Sequence, residues 1–198
     1  MHPMRSPSAR GAHRPSRRES VLAAALAEFT ERGYSAATMG SIARRAGMST
    51  SSVYYHFPSK DTILLELLGR AAATLQGVLA VTARPSDRAD PVGRLAEAYV
   101  GWMAPAAGRA LLLLGTGVGG TATVEADRRR HNVELTRTVA GVLSGAGSQD
   151  VDLLVAATAL VVLFGELARV HAENPLPEAQ LLTTTERLAA RLVPPGVH

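Results

Sequence analysis

Apolar residues recur at helical spacing along most of the chain. Val21, Leu22, Ala25, Leu26 and Phe29 form one stripe, which predicts a helix from residue 15 or 17 to residue 32. Gly33 ends it, and Tyr34 is placed to fold back on Phe29 as the hydrophobic contact of a Schellman cap. A shorter stripe holds Ile42, Ala43 and Ala46, and the next pairs Val53 with Phe57, four residues apart on one face. From Ser59 to about Thr82, apolar residues from Ile63 to Leu79 keep the same period. At 1.5 Å per residue that helix is roughly 34 Å long, enough to bridge two domains. A charged, Pro-containing loop over 84–91 follows. Further helices are predicted over 92–103, 107–114, 123–143, 150–172 and 177–192. No stretch alternates with period two and no internal repeat stands out, so the expected fold class is all-α.

The joints between the second, third and fourth helices carry the most information. Thr38 is a plausible N-cap, and Gly47 follows the last periodic residue, where glycine permits a left-handed helix end. Ser49 caps the next helix. Pro58 disfavours its continuation at Phe57, and Ser59 caps a third segment with Lys60 and Asp61 in its first turn. Two short helices joined by a tight turn describe a helix-turn-helix, whose second helix enters the DNA major groove. With Val53 and Phe57 turned inward, Thr50, Ser51, Ser52, Tyr54 and Tyr55 are left largely outside. Small hydroxyls and aromatics on one face suit phosphates, base edges and thymine methyls.

Ala25, Phe29, Gly33, Tyr34, Thr38, Ile42, Ala43, Ala46, Gly47, Ser49, Tyr54, His56, Phe57 and Lys60, in this order and spacing, resemble the DNA-binding domain of the TetR (tetracycline-repressor-like) family of bacterial transcription regulators. The likeness runs from about Arg17 to Leu68; the remainder is similar to the family only in length and helical character. The resemblance implies a three-helix DNA-binding domain over 17–68, joined by a long helix to a helical ligand-binding and dimerisation domain over 69–198. It implies a regulator, most often a repressor, that binds a pseudo-palindromic double-stranded operator as a homodimer and is released by a small molecule. Its DNA-binding residues would be Thr38, Ser49, Thr50, Ser51, Ser52, Tyr54, Tyr55, His56 and Lys60. Of these, Thr50, Ser51, Ser52 and Tyr55 would read bases, while Tyr54, His56 and Lys60 would serve phosphates. Gly40 departs from the pattern where some members carry a base-contacting side chain. Ser51 adds a hydroxyl where a glycine is frequent.

Charge is uneven in the same sense. Residues 1–70 hold ten Arg or Lys against five Asp or Glu, a net of +5, while the rest hold eleven against twelve. A basic end beside a near-neutral remainder is the footprint of nucleic-acid binding by one end. Lys60 is the one lysine in the chain. Residues 1–16, rich in Pro, Ser, Gly and Arg, read as a disordered basic arm whose Arg10 and Arg14, with Arg17 and Arg18 beyond, would track phosphates or the minor groove. The absence of cysteine excludes disulfides and thiolate metal sites. No apolar segment follows the N-terminal arginines as a secretory signal would require. The longest uncharged apolar run, 153–165, is shorter than the roughly 20 residues of a membrane span. A cytoplasmic protein with no membrane association is expected.

The C-terminal half says less. Tyr99, Trp102, Met103, Leu112 and Phe164 are the few bulky groups among Ala, Gly and Val, and are the candidate lining of a pocket for a largely apolar effector. The segment 151–164 is apolar on nearly all sides, so Val155, Leu160 and Val161 are the candidate dimer interface. Gly115, Gly117 and Gly120 fit G-x-G-x-x-G, but no parallel strand surrounds them, and an interhelical loop is the expectation. Glu125, Asp127 and the run 128–131 read as a solvated helix face, and Glu166 with Arg169 as an ion pair along a helix. No histidine spacing indicates a metal, and no cofactor or enzymatic activity is implied. Two other readings stay open: a ligand-independent regulator acting through a protein partner, and a dinucleotide-binding enzyme.

Overall fold

A computed structural model describes residues 16–82, 90–115, 119–144 and 151–194. Its helices are α1 (Arg17–Ala36), α2 (Met39–Arg45), α3 (Thr50–His56), α4 (Lys60–Thr82), α5 (Pro91–Met103), α6 (Ala107–Leu114), α7 (Ala122–Ser144), α8 (Val151–Glu173) and α9 (Glu178–Leu192). A single 3-10 turn, Ala104–Ala106, joins α5 to α6. The arm 1–15, most of the loop after α4, the centre of the Gly-rich segment and the last four residues lie outside the described residues.

Several helices begin where the sequence offers a side-chain acceptor. The Glu19 amide donates to Ser16 Oγ (3.2 Å) at the start of α1. Asp90 takes the Val92 amide (3.0 Å), and Pro91 occupies the first turn of α5, where its missing N–H costs nothing. The regular part of α1 breaks at Gly33, whose φ of +76° suits glycine. The turn beyond it brings the Tyr34 ring to 5.7 Å from Phe29.

The α1–α3 unit packs around Val21, Ala25, Phe29, Ile42, Val53 and Phe57, all buried. α4 leaves this unit and buries Leu68, Ala71, Leu75 and Leu79 beneath the C-terminal helices. α8 lies on α6 and α7. Gly165 makes that close: a Cβ there would stand 2.6 Å from the Leu114 carbonyl oxygen of α6. By length and composition alone α4 and α8 could each cross a membrane, although the uncharged run in α8 is short. Here both supply core side chains to the bundle.

Three placements in the C-terminal half differ from expectation. Of the candidate dimer residues, Leu160 and Val161 are buried within the chain, while Val155 is exposed along with Val151, Leu154, Val162 and Val170 of α8. The Tyr99 ring stacks on Phe164 at 4.0 Å, and its hydroxyl donates to the Phe164 carbonyl, so these bulky side chains fill the space they were expected to line. Finally, the run 128–131 is not a uniformly solvated face. Arg128 and His131 are buried, and Arg128 Nε donates to the Leu112 carbonyl of α6 (3.0 Å).

Candidate nucleic-acid interface

The α2–turn–α3 unit is fixed by short-range bonds. Thr38 and Ser41 form a reciprocal capping box: the Ser41 amide donates to Thr38 Oγ1 and the Thr38 amide to Ser41 Oγ, both at 3.0 Å. Gly47 turns the chain at φ +66°, and the Met48 amide closes on the Ala43 carbonyl (2.9 Å). Ser49 Oγ accepts the Ser52 amide at 3.2 Å and lies within hydrogen-bond distance of the Ser51 and Ser52 hydroxyls. Thr38 and Ser49 thus spend their side chains on holding α2 and α3.

On that frame α3 turns Val53 inward and leaves a polar, aromatic face outward. Thr50 and Ser51 are exposed, Ser52 and His56 half-buried, and Tyr55 is 87% exposed against 52% for Tyr54. The Tyr55 and His56 rings meet edge to face at 5.3 Å. An aromatic held this far out of a short helix makes almost no contribution to folding, since little of it leaves water.

Basic side chains divide into two groups. Arg45 donates to Glu28 (Nε, 2.9 Å) and, through both terminal nitrogens, to Glu31, locking α2 to α1. Arg18 pairs with Glu66 and lies over the Phe57 ring at 4.6 Å, so it ties α1 to α4 rather than joining a free basic arm. Arg70 binds Glu19 with both terminal nitrogens (2.8 and 2.9 Å). Such carboxylates are acidified by their partners: Glu28 lies below its ordinary pKa through a Ser41 hydrogen bond first and Arg45 next, and Glu66 through Arg18. Arg17 and Arg44 are exposed and make no ion pair with any described residue. Arg44, at the end of α2 beside the turn, did not stand out in the sequence. An Arg–Arg pair gives no sign of which member Glu28 and Glu31 take.

Lys60, expected at a DNA phosphate, is also engaged within the chain. Its ammonium donates to the Tyr34 carbonyl (2.6 Å) and the Ala37 carbonyl (2.9 Å), and sits 4.1 Å from the Tyr34 ring centroid. Two of its three donors thus hold the corner between α1 and α2 against the start of α4. The Tyr34 hydroxyl in turn donates to Asp61, which also accepts from Thr121 Oγ1 (2.8 Å) at the head of α7. Burial, then Asp61, pushes the Tyr34 phenol up to about 12. It therefore remains a donor.

Of the five residues expected around an effector, only Leu112 borders the described cleft, which has a volume of about 520 Å³ and lies between α1, α4 and α6. Trp102 stands behind that cleft, its Nε1 donating to Thr74 Oγ1 (3.1 Å).

Residues 21–67 match the family model described as bacterial regulatory proteins, tetR family. The transcriptional repressor BepR of Brucella suis is 34% identical over 83 residues, covering 42% of this chain and 39% of that protein. The transcriptional activator FasR of Mycolicibacterium smegmatis is 38% identical over 87 residues, covering 43% and 40%. The chain thus matches about two fifths of the length of these relatives, and both are regulators rather than enzymes. The fold is shared more widely. A TetR-like regulator from Rhodococcus sp. RHA1 superposes with a TM-score of 0.72 over 90% of this chain and 97% of that one, at 22% identity. SmeT, solved as a triclosan complex, does so at 0.68 over 92% and 94%, at 19% identity.

Proposed function

We propose that this chain, a TetR-type bacterial transcription regulator, works in the cytoplasm as a homodimeric repressor. It binds a pseudo-palindromic operator and is released when a small molecule occupies its helical domain. The observation that carries this reading is α3. Its exposed face of Thr50, Ser51, Ser52, Tyr54 and Tyr55 has no role in the core, yet it is held rigidly by two caps and a glycine turn. Thr50, Ser51, Ser52 and Tyr55 read base edges, while Tyr54, His56, Arg44 and Arg17 meet phosphates. Lys60 has one donor left for a phosphate after its two carbonyls.

Dimerisation through α8 is supported by the exposed apolar row Val151, Leu154, Val155 and Val162, spaced along one face. A two-fold arrangement would set the two α3 helices one turn of DNA apart, about 34–36 Å, or a multiple. Release by a ligand is supported by the SmeT–triclosan complex among proteins of the same fold and by the cleft beside α6. A repressor is preferred to an activator on the family resemblance alone.

The test is a binding-site selection from random duplex DNA with the full chain, followed by sedimentation of the complex. An inverted-repeat consensus bound by two copies is expected. A single asymmetric site bound by one copy would overturn the dimeric reading. No enrichment over bulk DNA would overturn sequence-specific binding.

A further inference from the structure

The cleft between α1, α4 and α6 has an asymmetric chemistry. Leu22, Leu26, Leu67, Ala71 and Leu112 give it apolar walls. Two of its three charged side chains, Glu19 and Arg70, neutralise each other through the bidentate pair already described. The third is Arg109 in the first turn of α6. Its Nε is buried and has no hydrogen-bond partner, and its guanidinium makes no ion pair with any described residue; its nearest aromatic is Trp102, at 5.9 Å. A half-buried guanidinium that lines an apolar cleft with no carboxylate beside it among the described residues is an incomplete site.

We propose that this cleft binds a small organic carboxylate with an apolar body, the carboxylate on Arg109 and the body against the leucines. The planar fork of a guanidinium matches a carboxylate. A volume of about 520 Å³ falls in the range that encloses a small organic ligand. A neutral ligand of the same shape would leave the Arg109 charge without a counter-ion, so the class is anionic. The position makes it a lever. Leu22 and Leu26 belong to the DNA-binding unit and Leu112 to the helical domain, so the occupant touches both. Close by, Gly108 of α6 approaches Thr30 of α1, where a Cβ would stand 3.0 Å from the threonine methyl. A ligand that prefers one setting of α1 against α6 changes DNA affinity by the same factor by which DNA changes its own affinity. This last step rests on the regulator reading; the binding site does not.

The test uses the full chain without DNA and compares decanoate with decan-1-ol by calorimetry. Decanoate is expected to bind at least tenfold more tightly. Arg109→Gln should abolish that preference and Arg109→Lys retain much of it. Ala23→Phe, from an exposed position on the cleft wall, should block decanoate while leaving the melting temperature within a few degrees of the parent. Equal binding of acid and alcohol, an Arg109→Gln variant that keeps the preference, or decanoate binding that survives Ala23→Phe would each overturn the site. So would failure of decanoate to bind at millimolar concentration. Titrating decanoate into a DNA complex is a separate arm: binding without release overturns the coupling and leaves the site standing.

Discussion

Replacing Lys60 separates two roles that one residue type can play. In the structure its ammonium serves two backbone carbonyls, Tyr34 O and Ala37 O, and a ring face. Hydrogen bonds to a charged group contribute about 1.5–3 kcal/mol each. Lys60 is half-buried, so solvent competes and the lower end applies. The cation–π contact adds about 0.5 kcal/mol at such a site. Lys60→Met keeps most of the stem and removes the donors, which should therefore cost about 3.5 kcal/mol. For a chain of this size that is a fall in melting temperature of about 7–14 °C. Calorimetric melts at pH 7 check the stability, and DNA affinity measured against salt checks the other role. If the third ammonium donor also meets a phosphate, the salt slope falls by about one. A melting temperature within about one degree of the parent would refute the carbonyl role, whatever the slope does.

Tyr55→Ala should change the selected operator sequence and weaken the parent site by about 1–3 kcal/mol, because Tyr55 has no packing role to lose; an unchanged consensus in a repeat selection would count against base readout. Glu28, Glu31, Glu19 and Glu66 all titrate below the ordinary carboxylate range in the folded chain. The unfolded chain therefore binds more protons, and stability present above about pH 4.5 is lost as pH falls through the folded values. Glu28→Gln should flatten that acid limb in a pH series of denaturant melts, and an unaltered limb would remove Glu28 from the account. On α8, Val155→Glu should give a folded monomer by light scattering, since Val155 is 63% exposed. Leu160→Glu places a charge in the chain's own core and should unfold or aggregate it instead. A folded monomer from Leu160→Glu would contradict its burial.

The helix-turn-helix was legible because what defines it is local. Thr38, Gly47 and Ser49 act on amides within five residues, and the inward pair Val53 and Phe57 follows from helical period alone. What was not legible depends on which helix arrives opposite. The period of α8 announces an apolar helix but cannot say that α6 and α7 cover Leu160 while Val155 is left out. Arg128 sits in a charged run, and only the fold brings the Leu112 carbonyl within its reach. The effector cleft was sought among bulky residues, yet large side chains fill space. The walls that leave space include the small Ala23, Ala71 and Ala73, contributed by two helices some fifty residues apart.

The polar contacts of Lys60, Asp61 and Arg128, which the sequence did not show, lie at and near the place where α1–α3 meet the C-terminal helices. Lys60 and Asp61 open α4 and bind the Tyr34 backbone and hydroxyl on one side and Thr121 on the other. Arg128, two turns along α7 from Thr121, holds the α6 carbonyl at Leu112, a residue that also borders the cleft. A continuous set of polar bonds thus runs from the cleft through α6 and α7 to the corner between α1 and α2. Packed leucines alone tolerate sliding, because dispersion contacts are non-directional. Hydrogen bonds with fixed geometry do not, and a shift of α6 that stretched Arg128 from Leu112 would have to be taken up at Thr121–Asp61–Tyr34 or lose those bonds. That requirement is what would let occupancy of a cleft beside α6 alter the setting of α3, through Arg128, Thr121, Asp61 and Tyr34, none of which lines the cleft.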